Sequence, residues 1–308
     1  MPCRVAIPAP ATPRFGVHVD EPRGDSAVPL RRSERRRARA RTAPGPQIVH
    51  EAIRREGEEE LARPAAGLFW SGVAAGLSMG FSLVGDAILT SALPDAPWRN
   101  VISKLGYSLG FLFVVLGRQQ LFTETTLTAV IPLLAGPTRE RLGKVARVWG
   151  VVLAANLLGA LLFALAVTPP GVFSGAQRAA MSAIGGQALA HGPLVAFARG
   201  VFGGWLIALM VWLLPASSGA RFFVVLVTAW LVGAGEFSHS IAGSVDVLYR
   251  VVTGATGVGE YLGRFLAPVV LGNSVGGGAL VASLNHAQVV AGRRAAAADG
   301  RAAGRDAR

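Results

Sequence analysis

Cysteine is almost missing from the chain: Cys3 is the one thiol in 308 residues. That excludes a disulfide framework and any site built from cysteine ligands. Charge is scarce too, since only 16% of residues are Asp, Glu, Lys or Arg. An ordinary soluble domain carries about 25%. Catalytic signatures are also wanting. No glycine-rich phosphate loop, zinc-ligand spacing or nucleophile elbow occurs, so neither an enzyme nor a bound cofactor or metal is expected. Ser217-Ser218-Gly219 lies in a short stretch beside Pro215, outside the apolar runs, which argues against pairing it with His239 as a hydrolase. The first 46 residues hold no continuous apolar run of signal-peptide type.

Apolar sequence is what the chain has in abundance. Hydrophobic residues make up 52% of it, with 39 glycines and a mean hydropathy of +0.46. This composition fits a polytopic membrane protein in which small residues let helices approach closely. Six runs are long enough to cross a bilayer, which takes about 20 residues. They cover about 65–90, 101–135, 145–167, 194–214, 222–252 and 262–290. The expected organisation is an Arg/Pro-rich disordered tail over 1–46 and a short amphipathic helix or linker over 47–64. A six-span domain over 65–290 and a disordered basic tail over 291–308 follow. In 47–64, Ile48, Val49, Ala52 and Ile53 share one side.

The net charge of +12 divides as +4 over 1–63, +5 over 64–290 and +3 over 291–308. A basic arm at Arg31–Arg41 could suggest nucleic acid, but basic flanks of apolar spans normally meet anionic headgroups on the cytoplasmic side. Arg139, Arg141, Lys144 and Arg147 follow the second span on the same side as both tails. Both termini are therefore expected in the cytoplasm, with membrane lipid rather than nucleic acid as the partner.

Spans two and five are interrupted by related motifs. Leu121-Phe122-Thr123-Glu124-Thr125-Thr126 is echoed by Glu236-Phe237-Ser238-His239-Ser240-Ile241, with Phe122 and Phe237 115 residues apart. In that register Glu124 stands where His239 stands. Arg147, Asn156 and Gly159 of span three precede Arg264, Asn273 and Gly276 of span six by a constant 117 residues. The halves thus read as inverted three-helix repeats, because an odd helix number reverses topology. The fold class expected is all-α with spans two and five broken.

Ionisable residues at membrane depth mark a pore or binding site. His239 would donate a proton to a passing anion or lower its barrier electrostatically. Glu124 would either hold a half-helix end or belong to a proton relay. Glu236, three residues before His239, could reach it on a helical turn. Phe122 and Phe237 would form two apolar constrictions. Thr123, Thr125, Ser238 and Ser240 would bind substrate or satisfy backbone freed by the breaks. Asn156 and Asn273 would bridge helices. Asp86 and Asp246 carry no assigned role, and Arg118 and Arg199 would snorkel to an interface.

These motifs resemble the formate/nitrite transporter family. Leu121-Phe122-Thr123 is similar to its Leu-Phe-Thr loop, and Phe237-Ser238-His239-Ser240-Ile241-Ala242 to its Phe-Glu-His-Ser-Ile-Ala loop. Gly272-Asn273-Ser274-Val275-Gly276-Gly277 is similar to its Gly-Asn-Ile-Ile-Gly-Gly stretch. The resemblance implies an aquaporin-like fold, a homopentamer with one pore per protomer, and passage of small monovalent anions such as formate or nitrite in the bacterial inner membrane. It places His239 as the pore histidine, Leu121 and Phe122 at one constriction, and Thr123 opposite the histidine. Ser238, Gly243, Gly204 and Ala188 depart from the family's Glu, Asn, Asn and Lys, and Glu124 replaces a small residue. Two alternatives stand beside the anion: another small solute, neutral or a different monocarboxylate, and a non-transporting membrane scaffold. The missing Asn-Pro-Ala signature counts against water and glycerol.

Overall fold

The computed structural model describes residues 44–292 and the isolated Ser33. The two tails read from the sequence fall almost wholly outside the described residues. Among these residues the protein is all-helical.

The first helix, α1 (Pro46–Ala62), starts on Pro46 and ends where Arg63 turns extended before Pro64. Its buried stripe is Val49, Ile53, Gly57 and Leu61, every fourth residue, while Ile48 is exposed. Five further helices are long and apolar enough to cross a membrane: α2 (Ala65–Ala92), α3 (Arg99–Leu116), α6 (Arg139–Ala166), α8 (Pro193–Leu213) and α11 (Val258–Gly292). The last contains wide π-type turns at Tyr261–Leu266 and Val275–Ala282. Shorter helices complete the chain: α4 (Phe122–Thr128), α5 (Val130–Ala135), α7 (Gly175–Ala188), α9 (Arg221–Ala234) and α10 (Ser240–Val252). The second and fifth apolar runs are therefore each split into separate helices. Helix α7 has no counterpart among the expected spans. Its signature is a capping box: Ser174 accepts from the Gln177 backbone, and the Gln177 side chain accepts from the Ser174 backbone.

Both splits are made by the same device. At the end of α3, Arg118 has φ +52°, the Arg118 amide donates to Val115 and the Gln119 amide to Val114. At the end of α9, Glu236 also has φ +52°, the Glu236 amide donates to Gly233 and the Phe237 amide to Val232. This left-handed closure satisfies the last carbonyls of a helix and ordinarily uses glycine. The equivalences run at a constant 118 residues.

Helix crossings repeat as well. On α2, a Cβ added to Gly76 would lie 2.2 Å from the Asn156 carbonyl of α6. On α8, one added to Gly204 would lie 2.3 Å from the Asn273 carbonyl of α11. Only glycine allows either approach. The arginines of the expected triple do not correspond: Arg147 donates to the Leu61 and Arg63 carbonyls, whereas Arg264 pairs with Glu260 within its own helix.

Candidate functional site

Each break is held by one buried asparagine. Asn156 Oδ1 accepts from the Phe122 amide at 2.9 Å, and its Nδ2 donates to the Gly72 and Gln120 carbonyls. Asn273 Oδ1 accepts from the Ser240 amide at 2.8 Å, and its Nδ2 donates to the Gly200 and Ser238 carbonyls. Each amide group thus ties the freed backbone of a break to two neighbouring helices, where lipid could offer no partner.

These bonds correct the register of the repeat. Phe122 corresponds to Ser240 and Gln120 to Ser238, so the residue matched with His239 is Leu121. Glu124 is displaced by three positions from the pairing read in the sequence. The reason is physical: helix capping, not side-chain likeness, sets equivalence, and Leu121 and His239 are the residues that precede α4 and α10.

His239 is 1% exposed and caps α10. Its Nδ1 accepts the amides of Ile241 (3.3 Å) and Ala242 (3.1 Å), while Nε2 lies 2.7 Å from Thr123 Oγ1. An Nδ1 that accepts carries no proton, so this network assigns the proton to Nε2, which donates to Thr123. The Phe111 ring meets the imidazole edge-on at 4.9 Å between centroids. Phe111, Leu121 and Thr123 are fully buried.

Two cavities flank this closed centre and share no lining residue. The first, about 380 Å³, lies under α1 and is lined by Glu56, Glu60, Arg118, Gln120, Glu124 and Thr128 among others. The second, about 80 Å³, reaches His239 itself and is lined by Lys104, Tyr107, Arg199, Glu236, Phe237, Ser238 and Asp246 among others. Three helices run from one cavity to the other: α3 from Lys104 to Leu116, α8 from Ala196 to Val211, and α9 from Arg221 to Gly233.

The other expected residues distribute as follows. Phe122 lines neither cavity; its ring packs edge-on against Trp149 at 5.8 Å. Phe237 lines the second cavity and stacks on Phe202. Ser240 is buried, its amide bound to Asn273, and lines neither cavity. Thr125 returns its hydroxyl to the Phe122 carbonyl. Glu236 does not reach back to His239; it pairs with Arg199 at 3.0 Å, because the left-handed turn points it elsewhere. Arg118 likewise pairs with Glu56 at 3.0 Å. Glu124 points Oε1 into a buried position with no hydrogen-bond partner.

Some contacts around the site escaped the sequence reading. Asp86 is fully buried, accepting from Lys104 Nζ at 2.6 Å and from Thr90 at 3.2 Å. Opposite charges 18 residues apart on consecutive apolar runs were the available signal. Glu60 of α1 is the other case. It accepts from Gln120 Nε2 at 2.8 Å and Thr128 Oγ1 at 2.5 Å. Burial pushes its carboxyl up to about 7, against the pull of those two hydrogen bonds. Among the described residues no cluster of His, Cys, Asp or Glu could hold a metal ion.

Apolar helices of spanning length, split helices with buried capping asparagines, and two separate cavities, one of which ends on a buried histidine, define an integral membrane channel or transporter. The chain belongs to the formate/nitrite transporter family, whose model matches residues 47–287. It is 41% identical over 241 residues to the inner membrane protein YfdC of Escherichia coli (strain K12), covering 78% of each chain. It is 26% identical to the formate channel FocA of Haemophilus influenzae, covering 68% of this chain and 82% of the other. A solved pentameric formate channel with formate bound superposes with a TM-score of 0.60 at 25% identity, over 71% of this chain and 95% of that one. An FNT family ion channel superposes with a TM-score of 0.66 at 18% identity, over 77% and 96%, a likeness of fold.

Proposed function

We propose that the protein carries a small monovalent anion of the formate or nitrite type, or its conjugate acid, through a pore in each protomer of a homopentamer in the inner membrane. The observation that carries this reading is His239 Nε2 at 2.7 Å from Thr123 Oγ1: His239 ends the smaller cavity, and Gln120 and Glu124, on either side of Leu121–Thr123, line the larger one. A substrate that displaces the Thr123 hydroxyl takes the Nε2–H in its place. The imidazole acts here as a neutral hydrogen-bond donor, because Nδ1 is occupied by the first amides of α10. Of the two roles open to His239, donation of an N–H therefore has more support than electrostatic attraction by an imidazolium.

The apolar surround of Phe111 and Leu121 strips water from the passing solute, and a bare anion in such a place is strongly disfavoured unless hydrogen-bonded or protonated. The fold reads as six crossings in two inverted halves, with both termini in the cytoplasm. On that orientation α1 lies at the cytoplasmic mouth and the smaller cavity faces outward.

Flux of formate, nitrite and acetate into proteoliposomes at two pH values tests the reading. Wild type should exceed protein-free liposomes, and His239→Ala should lose most of the flux. Equal flux in the two proteins would sink the histidine mechanism, and native mass spectrometry of the solubilised protein checks the pentamer. A second reading, transport of a neutral small molecule, draws support from Glu124 and Asp246, which put acids in both cavities. It predicts uptake of an uncharged solute and no flux of formate or nitrite above protein-free liposomes.

A further inference from the structure

The smaller cavity contains an unbalanced charge. Lys104, 7% exposed, is held by Asp86 at 2.6 Å, and Asp86's other oxygen takes the Thr90 hydroxyl. Arg199 and Glu236 pair with each other at 3.0 Å. His239 is neutral in its hydrogen-bonding pattern. Asp246 is left. It is 6% exposed, its Oδ1 is buried without a hydrogen-bond partner, and it lines the same cavity as His239 and Lys104. Asp246 stands seven residues past His239 on the same helix, two turns or about 10 Å along it.

We propose that Asp246 is a selectivity-determining residue: a charge filter that repels anions from the smaller cavity when ionised and admits them when protonated. The proposal rests on the anion-transport reading above. The groups that face it are Asp86 from α2, Lys104 and Tyr107 from α3, His191 from the loop before α8, and Arg199 from α8. Glu236 and His239 face it from the split, and Arg250 follows it on its own helix. Lys104 and Arg199 are each bound to another carboxylate, so Asp86, Glu236 and Asp246 face two cations and Lys104 offsets Asp246 only in part. Protonation removes the excess negative charge without moving any paired group. The filter thus passes anions chiefly when the compartment that the smaller cavity opens to is acidic.

A unit charge about 10 Å away, through an effective dielectric of about 20, alters a rate by roughly tenfold. The experiment measures formate flux in proteoliposomes for wild type and Asp246→Asn between about pH 5.5 and about pH 8. The quantity read is the ratio of the two at each pH, in which formate's own protonation cancels. The ratio should be about ten at the alkaline end and fall to about one at the acidic end, where both side chains are neutral. Asp246→Leu should give the same profile if the asparagine disturbs folding. A ratio that stays constant across the range, with flux in both proteins, overturns the filter. Absence of flux in both proteins at every pH instead overturns the anion-transport reading. Infrared difference spectra give a second readout. A protonated-carboxyl band that grows on acidification and vanishes in Asp246→Asn supports the proton on this residue, and a band unchanged by the substitution overturns it.

Discussion

Replacing Asn273 with alanine removes three hydrogen bonds at once: the Ser240 amide loses its acceptor, and the Gly200 and Ser238 carbonyls lose a donor. The residue is fully buried, so no water replaces them. A buried polar group left unpaired costs about 1–3 kcal/mol. Gly200 lies inside α8, where its carbonyl has helical company, so the total is taken at the low end, about 3 kcal/mol. For a domain of this size that corresponds to a fall of roughly 6–12 °C in melting temperature. Asn285→Ala is the internal control. It removes one partly buried bond, from Nδ2 to the Val281 carbonyl one turn back in the same helix, and should shift melting by less than about 4 °C. The assay is the fraction of detergent-solubilised protein that stays monodisperse by size exclusion after brief heating. Asn156→Ala should behave like Asn273→Ala, since its three bonds are equivalent. If Asn273→Ala and Asn285→Ala melt together, the asparagine does not hold the break and the account of the split helices fails.

Other consequences are open to measurement. His239→Asn keeps an oxygen at the start of α10 and can still cap it, so it should melt within about 1 kcal/mol of wild type while losing at least roughly tenfold in flux. Loss of stability without loss of flux would contradict the assignment. Gly57→Ala places a Cβ 1.9 Å from the Thr128 carbonyl and should loosen α1, seen as faster hydrogen exchange over residues 46–62. Gly67→Ala, at the start of α2, meets nothing within 4 Å and should leave that exchange unchanged. Glu60 has its carboxyl raised from 4.5 to about 7, so the docked state holds a proton that the undocked state has released. The docking of α1 should therefore be firm below about pH 4.5 and weaken as pH rises through about 7. Exchange of α1 amides in wild type relative to Glu60→Gln at each pH should rise over that window, and a flat ratio would remove Glu60 from the docking.

The residues that escaped the linear reading share one cause. Asp86 and Lys104 are far enough apart along the chain that only the packing of α2 on α3 makes them a pair. Phe111 looks like any apolar residue of a spanning helix until its ring is found against His239. The Phe122–Phe237 likeness was visible but misleading, because similar side chains occupy different steps of the two helix starts. The 117-residue spacing of Asn156 and Asn273, by contrast, reports the true equivalence, since each must sit opposite a broken backbone.

Membrane residence, the number of apolar runs, the two interruptions and the place of His239 at one of them were all present in composition and spacing. Long apolar runs have one stable solvent, and polar residues within them are conspicuous. The tertiary structure decided where the breaks fall, because a helix ends where its last carbonyls find donors; here Arg118 and Glu236 adopt the left-handed turn in place of glycine. It also decided what each of these side chains touches. Thr123 meets the imidazole, Phe122 turns into the core against Trp149, and Glu236 is drawn away by Arg199. Those outcomes depend on the rotation of each short helix about its axis, which the buried asparagines set through contacts with chain more than 30 residues away.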